Sequence, residues 1–258
     1  MYFKYLSMQI KSSFEYRLNI LMMSLSQVIV TIAELLSIYM MFLQFKSVGG
    51  WSFYEVALMS GTIITIFSLT ECFARGYDEF PSLIKNGELD RMLVRPVGIH
   101  KQIFGSKTEF MKLGRTILGI VVCIIALSHL NIQWNIWKVL VILATIVCGF
   151  LVILGLFMIG AGISVFTVEN LEFVNIITYG SKELAYYPLD IYKKWLSRFF
   201  TFVIPIACFN YLPVSFLLEK GNVSPILCGL SPLFGIVFFI PCFLFMNWCL
   251  TKYKGTGT

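Results

Sequence analysis

Val139 to Phe166, VLVILATIVCGFLVILGLFMIGAGISVF, runs for twenty-eight residues without a charged side chain. A hydrocarbon core about 30 Å thick needs roughly 20 helical residues to cross it, so this stretch spans a bilayer with length to spare. A helix apolar on every face has no wet side to offer a soluble protein. Upstream, Ile117–Leu130 is shorter, and it reaches spanning length if Lys112 and Arg115 snorkel to the headgroups. Val56–Ala74 carries Glu71 near its end, and Leu18–Phe45 carries Glu34 inside it. Downstream, Phe199–Leu218 is interrupted by Pro205 and Pro213, and Ile226–Leu250 contains Pro232 and Pro241. Charged residues are 13% of the 258, about half the roughly 25% of soluble domains, and the mean hydropathy is +0.81. The expected fold is an all-α polytopic membrane protein with six transmembrane helices in a single domain, residues 1–258.

The basic residues set the expected orientation. With the N-terminus cytoplasmic and all six segments crossing, only Lys46, Lys138 and Lys220 fall outside, and every other Lys and Arg lies inside. Both termini are then cytoplasmic. Trp51, Trp134 and Trp137 fall at outer boundaries and Trp248 near an inner one, where interfacial aromatics belong. The last third admits two arrangements. Leu171–Leu189, with Lys182 and Glu183 in its middle, is either an inner amphipathic segment or the fifth crossing. The second choice moves Lys182, Lys193, Lys194 and Arg198 outward and makes 193–218 a re-entrant element bent at its prolines. Charge favours the first.

The N-terminal stretch 1–17 has Phe3, Leu6, Ile10 and Phe14 on one helical face, as in a helix lying in the membrane plane. It has no small-residue cleavage site after its first apolar run and does not read as a signal peptide. The net charge of +6 sits between apolar runs and forms no continuous basic face, which argues against nucleic-acid binding. The seven cysteines show no Cys-x-x-Cys or His/Cys spacing, so neither a metal site nor a disulfide framework is expected.

The most informative polar stretch is RGYDEFPSLIKNGELDRMLVRPV, residues 75–97. Glu79–Lys85 and Glu88–Val94 are predicted as two short helices, separated by Asn86-Gly87 and ended by Arg95-Pro96. Exposed charges beside Leu, Ile and Met make a docking surface for a protein, or a solvated loop joining two spans. Gly105-Ser106-Lys107-Thr108 is a chance echo of a phosphate loop, because the spacing G-x-x-x-x-G-K-[ST] fails and no strand precedes it. Glu34 and Glu71 must face protein or water within the membrane. For Glu34 a substrate or subunit interface competes with a packing pair, whereas Glu71 is four residues from Arg75 and suits a simple ion pair. Gly155, Gly160, Gly162 and Ser164 give small-residue spacing, read as close helix packing within the chain.

Two blocks carry a family resemblance. Asn86-Gly-Glu-Leu-Asp-Arg-Met-Leu-Val-Arg-Pro-Val97 resembles the G-x-L-D-x-L-L-x-R-P signature of ABC-2 type transporter permeases, in particular the six-span bacterial branch of daunorubicin-resistance-like permeases. Tyr187-Pro-Leu-Asp-Ile-Tyr-Lys-Lys-Trp-Leu196 and Phe202-Val-Ile-Pro-Ile-Ala-Cys-Phe-Asn-Tyr-Leu-Pro213 are similar to that branch's downstream block, and the ending Tyr-Lys-Gly-Thr-Gly-Thr is similar too. Lys193 stands where the family often has proline, which puts the local bend in doubt.

The resemblance implies a permease subunit of an exporter in a bacterial plasma membrane, with no catalytic residue and no cofactor of its own. ATP and Mg would belong to a separate ATP-binding subunit, present in two copies. A second permease subunit, identical or paralogous, would complete the path. Residues 76–108 would be the cytoplasmic coupling loop, with Gly87, Leu89, Asp90, Arg91, Arg95 and Pro96 resting against the ATPase. Residues 1–17 would be the connecting helix. Pro188, Asp190, Trp195, Pro205, Asn210 and Pro213 would belong to an outer re-entrant or kinked element, which favours the second arrangement of the last third. Two other classes compete: a membrane anchor or scaffold without a transport path, and an intramembrane enzyme. For the enzyme, His100 and His129 lie apart and H-E-x-x-H and G-x-S-x-G are missing.

Overall fold

The computed structural model describes residues 17–167, 172–220, 224–253 and 255; the in-plane helix expected over 1–17 therefore lies outside the described residues but for Arg17. The described residues fold into helices joined by short connections: α1 (Arg17–Gln44), α2 (Phe53–Asp78), α3 (Phe80–Lys85), α4 (Glu88–Leu93), α5 (Ile99–Ser106), α6 (Leu113–His129), α7 (Ile136–Thr167), α8 (Glu172–Leu184), α9 (Lys194–Phe202), α10 (Ile206–Phe209), α11 (Tyr211–Leu218), α12 (Pro225–Leu230) and α13 (Phe234–Lys252). Among the described residues, five apolar helical stretches are long enough to cross a membrane: Leu18–Gln44, Phe53–Lys85, Phe110–His129, Ile136–Thr167 and Pro225–Lys252. The protein is a polytopic membrane protein, as its hydropathy requires.

Between α1 and α2 the chain turns on Gly49 and Gly50, at φ +59° and +83°. Val48 and Trp51 exchange backbone hydrogen bonds of 3.1 and 3.0 Å across them. A two-residue turn with both φ values positive strongly favours glycine. This turn marks one end of the bundle, the turn end; α3–α5 mark the other, the loop end. The Ser52 amide donates to Glu55 Oε2 at 2.8 Å and starts α2.

α2 is the axis of the fold, with 83% of its spanning window buried, whereas α1 stands at the edge with 6%. Small residues bring α6 against α2. A Cβ on Gly61 would lie 2.8 Å from Cys123 Sγ, and one on Gly119 2.5 Å from Thr65 Oγ1. Ser68 and Thr116 share a hydrogen bond of 2.9 Å across the same seam. In a membrane, close approach and side-chain hydrogen bonds hold helices together, because lipid is as apolar as leucine. α7 and α13 pair in the same way: Gly155 faces Cys242, Gly162 faces Phe245, and Gly235 faces the Cys148 carbonyl. Gly160 faces Val174 of α8. These glycines serve packing within the chain, as their spacing suggests.

The contacts of 172–220 decide between the two arrangements. α8 starts at the loop end, where the Tyr179 hydroxyl meets Arg75 and Asp78. Lys182 lies farther along, beside the Phe67 ring, and Ile191 arrives at the Gly49 turn. Residues 172–191 thus run from one end of the bundle to the other, although α8 alone is too short to count as a span. From there α9 and the pair α10–α11 form a V bent by 71°. It leaves beside Gly49 and returns beside Gly50, whose carbonyl accepts from Lys220 Nζ at 3.3 Å. Its tip reaches Gly149 and Ile66 through Phe209. A segment that begins and ends at one end is re-entrant. The arrangement favoured by charge is therefore corrected: Lys193, Lys194 and Arg198 lie with Lys46, Lys138 and Lys220, and Lys182 lies within the bundle. Charge counting failed because it assumed every basic residue in this segment was solvated on one side. Lys193 sits at φ −57° and ψ 142°, the backbone a proline adopts, so its departure from the family pattern leaves the bend unchanged.

This topology makes a direct prediction. In membranes of one orientation, Val94→Cys and Lys193→Cys are expected to react with a membrane-impermeant maleimide from opposite sides. Reaction of both from one side overturns the re-entrant arrangement.

Two boundary expectations also change. Arg115 is 6% exposed and turns inward instead of reaching the headgroups. Trp51 is 3% exposed, packed against the Tyr211 ring with Lys220 Nζ above it at 5.4 Å. Trp134, Trp137 and Trp248 are exposed as lipid-interface residues should be.

Candidate functional site

At the loop end, α3 and α4 form the pair of short helices expected from residues 79–94, and α5 is an addition. Gly87 joins the first two at φ +66°, where a side chain would be strained. Phe80, Ile84 and Leu89 are buried beneath. Gln102 Nε2 donates to the Met92 and Val97 carbonyls at 2.9 and 2.8 Å, pinning the turn after α4 onto α5. α5 in turn lies so close to α2 that a Cβ on Gly76 would overlap the Ile103 carbonyl. Outward this platform presents Arg91, Leu93, Val94, Arg95 and Pro96, with Val94 86% and Leu93 49% exposed. Asp90, half-buried, faces back toward Gly255.

Below the platform a charged cluster ties it to the bundle. Arg75 reaches Glu79 at 3.1 Å, Glu109 at 3.2 Å, Asp78, and the Tyr179 hydroxyl at 3.0 Å. Its expected pair with Glu71 is present at 3.6 Å, but Lys112 is nearer to the same carboxylate at 3.3 Å. Glu71 is a shared counterion of α2, the start of α6 and Tyr179, and this exceeds a simple i,i+4 pair. Lys107 of the phosphate-loop echo is turned to Glu79 and Glu109. That binds it to carboxylates instead of leaving it to cradle a phosphate.

Glu34 lies deeper in the bundle, and the structure resolves its surroundings. Its carboxylate takes Arg115 at 3.0 Å, Lys182 at 3.3 Å and the Tyr186 hydroxyl at 2.8 Å. Lys182 also meets Glu183 at 3.1 Å. Two cations and two carboxylates therefore hold α1, α6 and α8 together. Arg115 and Lys182 side chains are 7% and 6% exposed. A buried charge is tolerated when paired and hydrogen-bonded, and here the partners come from three helices far apart in sequence. Nothing in the spacing of Glu34, Arg115, Lys182 and Tyr186 advertises the grouping.

At the turn end the second motif block becomes the V. Pro188 precedes a 3-10 turn, Leu189–Ile191. Asp190 accepts from the Tyr211 hydroxyl at 2.6 Å. Pro205 stands at the break and caps α10. Asn210, 2% exposed, donates to the Ala185 carbonyl and so joins the V to the fifth traverse. Pro213 opens α11 toward α6 and α7, where an apolar cavity of about 150 Å³ is lined by Thr65, Cys123 and Thr145. Trp195 is 66% exposed and outside the packed part. The arms of the V, the Gly49–Trp51 turn and the start of the last span enclose a second cavity of about 610 Å³, with Asp190, Ser197, Thr201 and Lys220 among its walls.

Among the described residues no three His, Cys, Asp or Glu side chains gather as metal ligands would. His100 and His129 lie at opposite ends of the bundle, His100 beside Tyr77 and His129 stacked on Tyr54. No curated protein and no solved structure gives a significant match. The family model described as ABC-2 family transporter protein does match, over residues 28–257, from within α1 to beyond the end of α13. It takes in both the charged helical platform between α2 and α6 and the re-entrant V. This chain therefore belongs to the ABC-2 transporter family, as a membrane permease subunit of an ABC transporter whose ATP-binding component is a partner.

Proposed function

We propose that the chain is the path-forming subunit of an ATP-driven exporter and receives mechanical work through residues 76–108. The observation that carries this reading is the platform itself. It exposes two large apolar residues, Leu93 and Val94, between Arg91 and Arg95, while Gln102 pins its turn to α5 and its underside is held to α2 at Gly76 and by the Arg75 cluster. A rigid platform with an apolar and basic tip suits a groove on another protein, and it transmits a push without absorbing it. In this reading Gly87, Leu89 and Pro96 shape the platform, and Asp90, Arg91 and Arg95 contact or position the ATPase. ATP and Mg stay on the partner, two copies of which act on two permease subunits, identical or paralogous. The loop end and both termini face the cytosol of a bacterial inner membrane, and the cavity within the V faces outward.

The test is a pull-down in mild detergent with the ATP-binding subunit co-expressed. Val94→Asp combined with Arg95→Ala is expected to insert normally, and to retain at least about tenfold less of that subunit, the loss of about 1.4 kcal/mol or more. Asp90→Ala or Arg95→Ala alone is expected to weaken the permease's stimulation of ATP hydrolysis. Unchanged capture and unchanged stimulation in all three variants would sink the coupling assignment.

A further inference from the structure

The first turn of α5 places His100 between α2 and α13. Its Nδ1 is 2.8 Å from the Tyr77 hydroxyl and its Nε2 is 2.8 Å from Asn247 Oδ1. The ring lies 4.6 Å from the Phe243 ring, centroid to centroid, and 6.2 Å from that of Tyr77. Asn247 fixes the protons. Its Nδ2 donates to the Phe243 carbonyl at 3.1 Å, so its oxygen faces the imidazole. A carbonyl oxygen only accepts, so Nε2 carries the hydrogen, and in the neutral ring Nδ1 accepts from the Tyr77 hydroxyl. One run of donors therefore passes from Tyr77 through His100 and Asn247 to the backbone of α13, with every member satisfied. Farther on, Gly255 lies against the Asp90 carboxylate, where an added Cβ would be 3.2 Å from Oδ1. The Tyr253 phenol is raised by burial and then by that same carboxylate. The last helix and its tail thus touch the platform at α5 and again at α4.

We propose that His100 is a positioning residue that carries movement of the platform to the last span, an assignment that rests on the coupling reading above. The Arg75 cluster passes a push to α2 and α6. The pair α7–α13 is locked together by Gly155, Gly162 and Gly235, so force delivered at Asn247 moves both helices as one body. A hydrogen bond of 2.8 Å transmits displacement only while both partners are present, and replacing either one leaves α13 behind.

The experiment uses the chain with its ATP-binding subunit in lipid nanodiscs and follows hydrogen–deuterium exchange with and without trapping by ATP and vanadate. In the native complex, exchange over 225–233 is expected to change about twofold on trapping, alongside a change over 130–135 between α6 and α7. His100→Phe and Asn247→Leu are each expected to abolish the first change and keep the second. The double variant loses no more than either single one, and Asn247→Asp, which keeps the accepting oxygen, retains the response. Thermal unfolding within a few degrees of native shows that a variant is folded; if His100→Phe fails that check, Asn247→Leu carries the test. The proposal is overturned if both variants respond like the native chain over 225–233, or if the native complex responds over 130–135 alone. A native complex that responds at neither place refutes the coupling reading itself.

Discussion

Gly76→Val is expected to detach α5 from α2 and to abolish capture of the ATP-binding subunit, the largest single-residue effect outside the docking tip. The obstacle is backbone: the new Cβ would overlap the Ile103 carbonyl and crowd the Ser106 hydroxyl. A side chain can swing away from an intruding atom, whereas a carbonyl held within a helix moves only with its helix. Overpacking costs about 1–3 kcal/mol even where neighbours can yield, and here they cannot. Once α5 lifts, Gln102 no longer holds the turn after α4 and His100 leaves Tyr77 and Asn247. Gly98→Ala in the same loop is the control. Nothing lies within 4 Å of its added Cβ and its φ of −53° suits any residue, so it is expected to cost no more than about 1 kcal/mol, the difference between glycine and alanine at the N-cap of α5. Thermal unfolding in detergent and subunit pull-down compare the two. Equal behaviour of both variants would show that the α2–α5 contact does not support the platform.

Glu34→Ala is expected to destabilise the bundle by about 3 kcal/mol or more, because it leaves Arg115 without a carboxylate and Lys182 with only the more exposed Glu183. Arg115 already has one buried nitrogen, Nε, without a hydrogen-bond partner, and the acceptor left to it is the neutral Tyr186 hydroxyl at 3.3 Å. The contrast is a variant that removes the charges together. Glu34→Leu with Arg115→Leu and Lys182→Met is expected to recover most of the loss, since paired buried charges are often exchangeable for apolar groups of similar volume. Thermal unfolding of the single and combined variants decides the matter. If Glu34→Ala unfolds like the native chain, the cluster does not hold α1 to α6 and α8, and the carboxylate is free for another role.

Much of the architecture is readable from residue order. The charge-free run at 139–166 and the helix stop at Asn86-Gly87 each state a local requirement that neighbours along the chain satisfy. The platform's two short helices follow from that punctuation. α5 does not: Gly98 alone marks its start, and Ile99–Ser106 is held in place because Gly76 lets it lie on α2. The fifth traverse was open for a related reason. Lys182 and Glu183 in mid-segment look like solvent-facing charges until Glu34 and Arg115 are known to stand opposite.

Sequence by itself determined that lipid is the solvent, where the long spans lie, that two short helices are expected between the second and third spans, and, through two motif blocks, the family resemblance. Those properties depend on composition and on spacing within single segments. Tertiary structure alone decided that 193–218 folds back, that Trp51 is core, and that Glu34, Arg115, Lys182 and Tyr186 form one network. It also decided that His100 bridges α2 and α13. Each of these depends on which distant residues stand at the same depth in the bundle, and no pattern along one segment encodes the depth of another.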